Sequence, residues 1–277
     1  MSTFEHDLTK GNIWKLLVWF AVPFFISNLI QSLYSLIDLI ILGHFGGTNS
    51  ISAANIGGQV LVILTNLAAG LSGGGTVMLG NYLGSKRKDK INGAISTLLI
   101  TLTVMAAVFM VLLFILKQPL LRLLDTPEEA FSQAEQYLFI CTLGLLFIYG
   151  YNALSAIMRG LGDSRTPMIF VMIACVINII LDLVLVAGCH LGAGGAAVAT
   201  VFAQGCSMLF CIIYLKHHDF MFDFKPSSFH FIKEEFHTLL RTGLPLSIQM
   251  VGTNFSFLIL TTFINRAGGV AASAAAG

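Results

Sequence analysis

The sequence predicts an all-α polytopic membrane protein, in which a six-helix lobe is followed by a seventh helix that starts a parallel pseudo-repeat. Only 10% of the 277 residues are charged, whereas about a quarter are charged in soluble globular proteins, and the mean hydropathy is +0.84. A helix needs about 20 apolar residues to cross the hydrocarbon core of a bilayer. Apolar runs of at least this length occupy residues 14–42, 51–79, 91–116, 136–158, 166–189, 192–215 and 244–264.

The charge balance and the motifs exclude several classes of protein. Lys and Arg number 15 and Asp and Glu number 14, which gives a net charge of +1, so no basic surface for nucleic acid is expected. The 5 cysteines lie in apolar stretches without a CxxC pair, which is typical of small buried side chains and not of a zinc site. The sequence contains no Walker motif and no H-E-x-x-H motif. We therefore expect a protein that is not an enzyme and has no nucleic-acid partner, resident metal or organic cofactor.

The positions of lysine and arginine predict the orientation in the membrane, because cytoplasmic loops retain positive charge. With the N-terminus inside, every Lys and Arg falls on the inner side except Lys117, Arg122 and Arg266. We therefore expect a multi-pass protein of the plasma (inner) membrane with a cytoplasmic N-terminus.

An internal repeat predicts how the chain is organised. The longest polar connection lies at 217–242, and after it residues 244–269 align without gaps on 22–47, with Pro245 opposite Pro23. Six crossings separate the two copies, so both helices run in the same direction, as in transporters built from parallel repeats. The predicted parts are an amino-terminal six-helix lobe at 1–216, a cytoplasmic inter-lobe linker at 217–242 and the truncated start of a carboxy-terminal lobe at 243–277.

Glycines cluster towards the inner end of the second apolar run. The run lacks the G-x-x-x-x-G-K-[ST] spacing of a phosphate-binding loop. Because small residues let helices in a membrane approach closely, we expect close helix packing at the inner membrane surface. The glycines are Gly70, Gly73, Gly74, Gly75, Gly80 and Gly84.

Two carboxylates lie inside apolar runs, Asp38 in the first and Asp182 in the fifth. A charged side chain at the centre of a membrane costs about 2.5–3.5 kcal/mol on insertion scales, so a pair of them indicates a function. At a rise of about 1.5 Å per residue, both lie roughly 8–9 Å below the outer ends of their helices, and Thr200 in the sixth run lies at a similar depth. The three residues can therefore share one site. The alternative is that each carboxylate reaches the membrane interface.

Other polar side chains share a helix face with these residues. In the first helix, Gln31 and Tyr34 lie within about 60° of Asp38, at about 100° per residue. In the fifth helix, Asn178 precedes Asp182 by one turn. Such stripes either form hydrogen bonds between helices or line a water-filled cavity, and the carboxylates favour the cavity.

Pro23 lies well inside the first helix, where it removes a backbone hydrogen bond and should bend the helix. Two interpretations remain open. The bend is either fixed, or it is a hinge whose angle changes when Asp38 is neutralised.

Several stretches of the sequence are distinctive. They are AVPFFISNLIQSLYSLIDLIILGHFGG, AAGLSGGGTVMLGNYLGSKRKDK, NALSAIMRGLGDSRTPM and NIILDLVLV. These stretches resemble the multidrug and toxin extrusion (MATE) family of secondary transporters, and the R-G-L-G-D turn with the N-x-x-x-D helix after it is the most specific. The resemblance covers essentially the whole chain, as an amino-terminal lobe and the first helix of a second lobe. It implies a cation:drug antiporter of twelve helices in two lobes, of which five helices would be missing.

The resemblance also implies roles for particular residues. The coupling ion would bind at Asp38, Asn178, Asp182 and Thr200; Gln31 and Asn152 would line the substrate cavity together with Tyr34 on the Asp38 face; and Pro23 would mark the bend. Leu260 occupies the position of Asp38 in the second copy, so the coupling carboxylates would lie in the first lobe only. The implied partners are small organic cations, the lipid bilayer and the missing second lobe of the same chain.

The predicted function is secondary active export of organic cations or drugs in exchange for H⁺ or Na⁺, and the sequence does not choose between the two ions. The alternative is a lipid-linked saccharide flippase of the same superfamily. Its anionic pyrophosphate substrates would call for buried Arg or Lys, and no apolar run carries a cation in its middle. A seven-helix receptor would place its N-terminus outside, against the charge distribution. A structural membrane protein would leave the two carboxylates unexplained.

Overall fold

The computed structural model describes the backbone of residues 12–124, 126–218, 220 and 222–276, and their side chains except those of 13, 255 and 257–276. All regular secondary structure in this part of the chain is helical, which confirms the predicted all-α fold. The first residues of the predicted lobe at 1–216 and the side chain of Leu260 lie outside the described residues.

The α-helices of the described part coincide with the seven apolar runs. They are α1 (Ile13–Ile41), α2 (Gly47–Gly84), α3 (Lys88–Leu123), α4 (Glu128–Gly160), α5 (Arg165–Asp182), α6 (Gly192–His217) and α7 (Lys233–Ala276). Two π-helical segments, Leu42–Gly46 and Leu183–Gly188, continue α1 and α5, and a 3-10 turn at Pro226–Ser228 lies between α6 and α7.

Among the described residues, 5 continuous helical stretches are long and apolar enough to cross a membrane. The first, Trp14–Gly84, contains both α1 and α2. The two helices are separated at Gly47, whose φ of +78° lies in the left-handed region that favours glycine. The stretches together contain α1 to α6, so the protein is a multi-pass membrane protein.

Helices α2 and α4 form the centre of the molecule. Helix α2 contacts α3, α4 and α7, and α4 also contacts α3 and α6. Fully buried side chains such as Leu79, Leu98 and Leu145 fill the space between them. Helix α1 lies at the edge, mainly against α5, and exposes large apolar side chains such as Phe25 and Ile40. A surface of this kind is covered by lipid or by another helix.

Helices α2 and α7 run antiparallel and pack backbone to backbone. A Cβ atom added at Gly70 would lie 2.3 Å from Ser247 Cα, and one added at Gly74 would lie 2.4 Å from Gly243 Cα. Ser247 Oγ also donates a hydrogen bond to Leu67 O (3.1 Å). Because no side chain fits at either glycine, this contact confirms the close packing predicted from the glycine cluster.

One buried carboxylate joins the C-terminal end of α2 to the N-terminal ends of α3 and α7. Glu235, in the first turn of α7, is 2% exposed. Its Oε2 accepts a hydrogen bond from Tyr82 OH (2.6 Å), and its Oε1 lies 3.7 Å from Lys90 Nζ. Acidic residues in a first turn also favour a helix start. Helix α7 accordingly begins at Lys233, within the segment 217–242 that composition assigned to a linker.

The connection between α6 and α7 is anchored to α3. Ser96 Oγ donates to His230 O (2.8 Å) and accepts from His230 N (2.6 Å), while Thr97 Oγ1 accepts from Ile232 N (3.1 Å). Phe222 of the same connection is buried. The connection therefore follows the surface of the helices instead of extending into solvent.

Candidate functional site

Asp38 and Asp182 occupy equivalent places at the ends of α1 and α5. Asp38 lies in the last turn of α1, and Asp182 is the last residue of α5. The π-helical segments Leu42–Gly46 and Leu183–Gly188 follow them and contact each other. Such segments are rare and often occur at functional sites. Here they end both carboxylate-bearing helices and bring those ends together.

Asn178 links Asp182 to α6. Both residues are buried, with exposed fractions of 1% and 0%. In the amide orientation that pairs both of its polar atoms, Asn178 donates to Asp182 Oδ2 (2.9 Å) and accepts from Thr200 N (3.2 Å). Tyr34 OH, on α1, lies 3.3 Å from Thr200 Oγ1. One network of hydrogen bonds thus joins Asn178 and Asp182 of α5 to Thr200 of α6 and Tyr34 of α1.

The two carboxyl groups interact with each other between α1 and α5. One oxygen of each, Asp38 Oδ1 and Asp182 Oδ1, is buried and has no hydrogen-bond partner among the described residues. No ion pair in the described part of the chain involves either residue. A buried polar atom without a partner costs about 1–3 kcal/mol, and more when it is charged. A proton or a monovalent cation between the two groups would remove this cost.

The atoms around the carboxyl pair suit a proton or Na⁺ better than a transition metal. Most are carboxylate, hydroxyl and amide groups, which are hard donors, and the exception is the thiol of Cys141. No group of three or more His, Cys, Asp and Glu side chains that could hold a metal ion occurs among the described residues.

Helix α4 contributes two residues that sequence reasoning missed. Tyr137 and Cys141 are buried, lie one turn apart on α4 and are near Asp38. Tyr137 packs on Gly57 of α2, where an added Cβ would lie 2.8 Å from Tyr137 Cδ1. Their spacing of four residues puts them on one helix face, and this was the only sequence feature that could have pointed to the pair. They add a phenol and a thiol to the surroundings of Asp38.

A small cavity of about 30 Å³ adjoins the network. Neither carboxylate is among its lining residues. Tyr34, Asn178 and Thr200 therefore stand between the cavity and the carboxyl pair, so a bound molecule would affect the carboxyl pair through this hydrogen-bonded layer. The polar lining residues are Gln31, Tyr34, Tyr151, Asn178, Thr200, Gln204 and Ser207.

Asn152 lies on the wall of a second, larger cavity of about 350 Å³ between α1, α2, α4, α5 and α7. It does not line the smaller cavity. Gln31, Tyr151 and Val171 line both cavities, so the two adjoin along these residues. The resemblance implied one substrate cavity for Gln31, Tyr34 and Asn152; the structure places Tyr34 and Asn152 in different cavities, with Gln31 at their boundary.

Pro23 is buried in the interior of α1, which continues as one helix from Ile13 to Ile41. Its carbonyl oxygen accepts a hydrogen bond from Ser27 Oγ (2.9 Å), and Ser27 lines the larger cavity. At about 1.5 Å per residue, Pro23 lies about 22 Å from Asp38 along the helix. The proline is thus next to the larger cavity, and its role as a hinge stays a prediction.

Known proteins share both the sequence and the fold. The MatE family model matches residues 23–184. Two probable multidrug resistance proteins of Bacillus subtilis, YpnP and YoeA, are 31% and 28% identical over 268 and 273 residues, and the alignments cover 95% and 96% of this chain. The solved structure of a MOP superfamily transporter from Pyrococcus furiosus, described as having a binding pocket of reverse polarity, matches with a TM-score of 0.91 at 25% identity, over 99% of this chain and 61% of that one. The chain spans 59% of the length of each Bacillus relative.

Proposed function

This chain belongs to the MatE family of multidrug and toxin extrusion transporters, and on that premise we propose that it forms part of a secondary active antiporter that exports organic cations in exchange for H⁺ or Na⁺. The names of its Bacillus relatives, probable multidrug resistance proteins, support drugs as the exported class. The distribution of Lys and Arg supports a plasma-membrane protein with a cytoplasmic N-terminus.

The observation that carries this proposal is the carboxyl pair at the ends of α1 and α5. Asp38 and Asp182 interact with each other, and each keeps one buried oxygen without a partner among the described residues. Their negative charge attracts a proton or Na⁺ and disfavours an anion. The flippase alternative needs cationic contacts for a pyrophosphate, so this site gives it no support.

Coupling would follow from the position of the carboxyl pair behind the smaller cavity. Helix α1 carries Asp38 of the pair and also Gln31 and Tyr34 of the cavity wall. A shift of α1 on neutralisation of Asp38 would therefore change the ion site and the cavity together. The exported cation must bind the two states with different affinity for coupling to exist. Pro23 would permit the shift, because it leaves one backbone hydrogen bond of the helix unmade.

Efflux from proteoliposomes that contain the complete natural protein tests this function. A fluorescent organic cation such as ethidium is loaded, and its efflux is measured under an imposed pH gradient and, separately, an imposed Na⁺ gradient. We expect the double variant Asp38→Asn, Asp182→Asn to lose gradient-driven efflux. The matched control is Asp163→Asn, which removes a carboxylate that caps the start of α5 away from the site. Coupled efflux undiminished in the double variant would refute the mechanism.

A further inference from the structure

The larger cavity has one charged side chain on its wall, Arg159 in the last turn of α4. No carboxylate is among the residues that line it. Phe20, Phe24, Val171 and Met250 give it an apolar side. The cavity therefore combines one cation with apolar surface, and its charge is opposite to that of the carboxyl pair. Its neutral polar lining includes Asn28, Gln31, Thr76 and Asn152.

Arg159 has no carboxylate partner in the described part of the chain. The acidic residue closest to it in sequence is Asp163, which instead accepts hydrogen bonds from Arg165 N (3.0 Å) and Thr166 N (3.1 Å) at the start of α5. The guanidinium of Arg159 lies over the ring of Phe24, 5.3 Å from its centre. A contact of this kind uses the face of the guanidinium and not its N–H donors. Those donors remain available to a ligand.

We propose that the larger cavity binds the anionic head of an amphiphile, a carboxylate or phosphate group, at Arg159, with the apolar tail along Phe20 and Phe24. The planar fork of an arginine matches both groups with two parallel hydrogen bonds. The headgroup of an anionic lipid and a free amphiphilic anion share this chemistry. The site does not depend on ion exchange, so it goes beyond the antiport function.

Binding of octyl phosphate to the purified complete protein tests the site. Titration calorimetry in a neutral maltoside detergent compares octyl phosphate with octyl glucoside, which has the same tail and a neutral head. We expect octyl phosphate to bind more tightly, and Arg159→Gln to weaken its binding at least about tenfold through the loss of charged hydrogen bonds. Arg159→Lys should recover part of the affinity, because it keeps the charge but not the fork.

The matched control is Arg165→Gln. Arg165 also lies at the α4–α5 turn and stacks over an aromatic ring, that of Trp19 (4.4 Å), but it does not line the cavity. This variant should bind octyl phosphate like the wild type. Equal affinity of the Arg159→Gln variant and the wild type would overturn the proposal. Equal affinity of the wild type for the phosphate and the glucoside would also overturn it, and this comparison needs no variant to fold.

Nanodiscs distinguish the two sources of the anion. If phosphatidylglycerol occupies the site, octyl phosphate should bind the wild type more weakly in phosphatidylglycerol than in phosphatidylcholine discs, and this loss should be smaller for Arg159→Gln. An unchanged affinity identifies a free amphiphilic anion as the ligand. Since no gradient is applied, a negative binding result would not argue against the antiport function. A loss of coupled efflux would likewise not argue against this binding site.

Discussion

Replacement of Gly74 by alanine should destabilise the protein, because no space exists for a methyl group between α2 and α7. The new Cβ would lie 2.4 Å from Gly243 Cα and from Gly243 N, whereas ordinary contact begins at 3.4 Å. The helices must therefore separate by 3.4 − 2.4 = 1.0 Å at this point. Separation would also lengthen the hydrogen bond from Thr242 Oγ1 to Gly74 O (3.3 Å).

The expected size of the effect follows from two opposing terms. Overpacking costs about 1–3 kcal/mol, and the upper end applies because the clash is with backbone and cannot be relieved by a rotamer change. Alanine in place of glycine in a helix stabilises by about 1 kcal/mol. The free energy of unfolding should thus fall by about 2 kcal/mol in Gly74→Ala. Gly58→Ala on the same helix, where nothing lies within 4 Å, should instead gain about 1 kcal/mol.

The two variants can be compared by unfolding in detergent. A thiol-reactive dye reports the transition, because Cys141 and Cys211 are buried in the folded protein. We expect the two transitions to differ by about 3 kcal/mol, the sum of the two effects. Equal stability of Gly74→Ala and Gly58→Ala would show that the close contact between α2 and α7 does not exist, and would refute the reasoning.

Three further predictions test other contacts. Tyr82→Phe removes the 2.6 Å hydrogen bond to the buried carboxylate of α7, so the free energy of unfolding should fall by about 1–3 kcal/mol; an unchanged midpoint in the same dye assay would contradict this contact. Tyr34→Phe removes a neutral hydrogen bond between α1 and α6, so the free energy of unfolding should fall by about 0.5–1.5 kcal/mol. An unchanged free energy of unfolding in the dye assay would contradict this contact. The hydrogen bonds of Ser228 and Lys225 lower the pKa of Asp223 from 3.8 to about 2. Because the folded-state pKa is lowered, the stabilisation of this turn should be complete above about pH 4 and lost as the pH falls towards 2; carboxyl NMR that finds the midpoint near the ordinary value would contradict it.

The helices and the depth of the carboxylates could be predicted from the sequence, because both depend on one helix at a time. Each apolar run is long enough to fix a helix, and the rise per residue alone puts Asp38 and Asp182 at one level. The structure then brings both residues together through contacts between α1 and α5. The cluster around Gly70 and Gly74 likewise indicated close packing, because it is a property of the single helix α2.

Features that depend on which helices are neighbours could not be predicted. Tyr137 and Cys141 carry no charge, so only the three-dimensional structure reveals that they lie near Asp38. The separation of Tyr34 from Asn152 likewise depends on how α1 and α4 are placed among the other helices. The sequence also did not show that the glycines of α2 face α7, which follows them by more than 150 residues.

The contact between Leu67 and Ser247 has a consequence for biosynthesis, since the two residues are 180 positions apart in the chain. At about 5–20 residues per second, a ribosome needs roughly 10–35 s to proceed from one to the other. For that interval Gly70 and Gly74 of α2 are already in the membrane while α7 has not yet been made. Lipid tails or a chaperone then contact this part of α2 in place of α7. Helix α2 therefore reaches its final packing only after α7 has been translated, and a pause in translation before α7 would prolong the stage most exposed to mispairing.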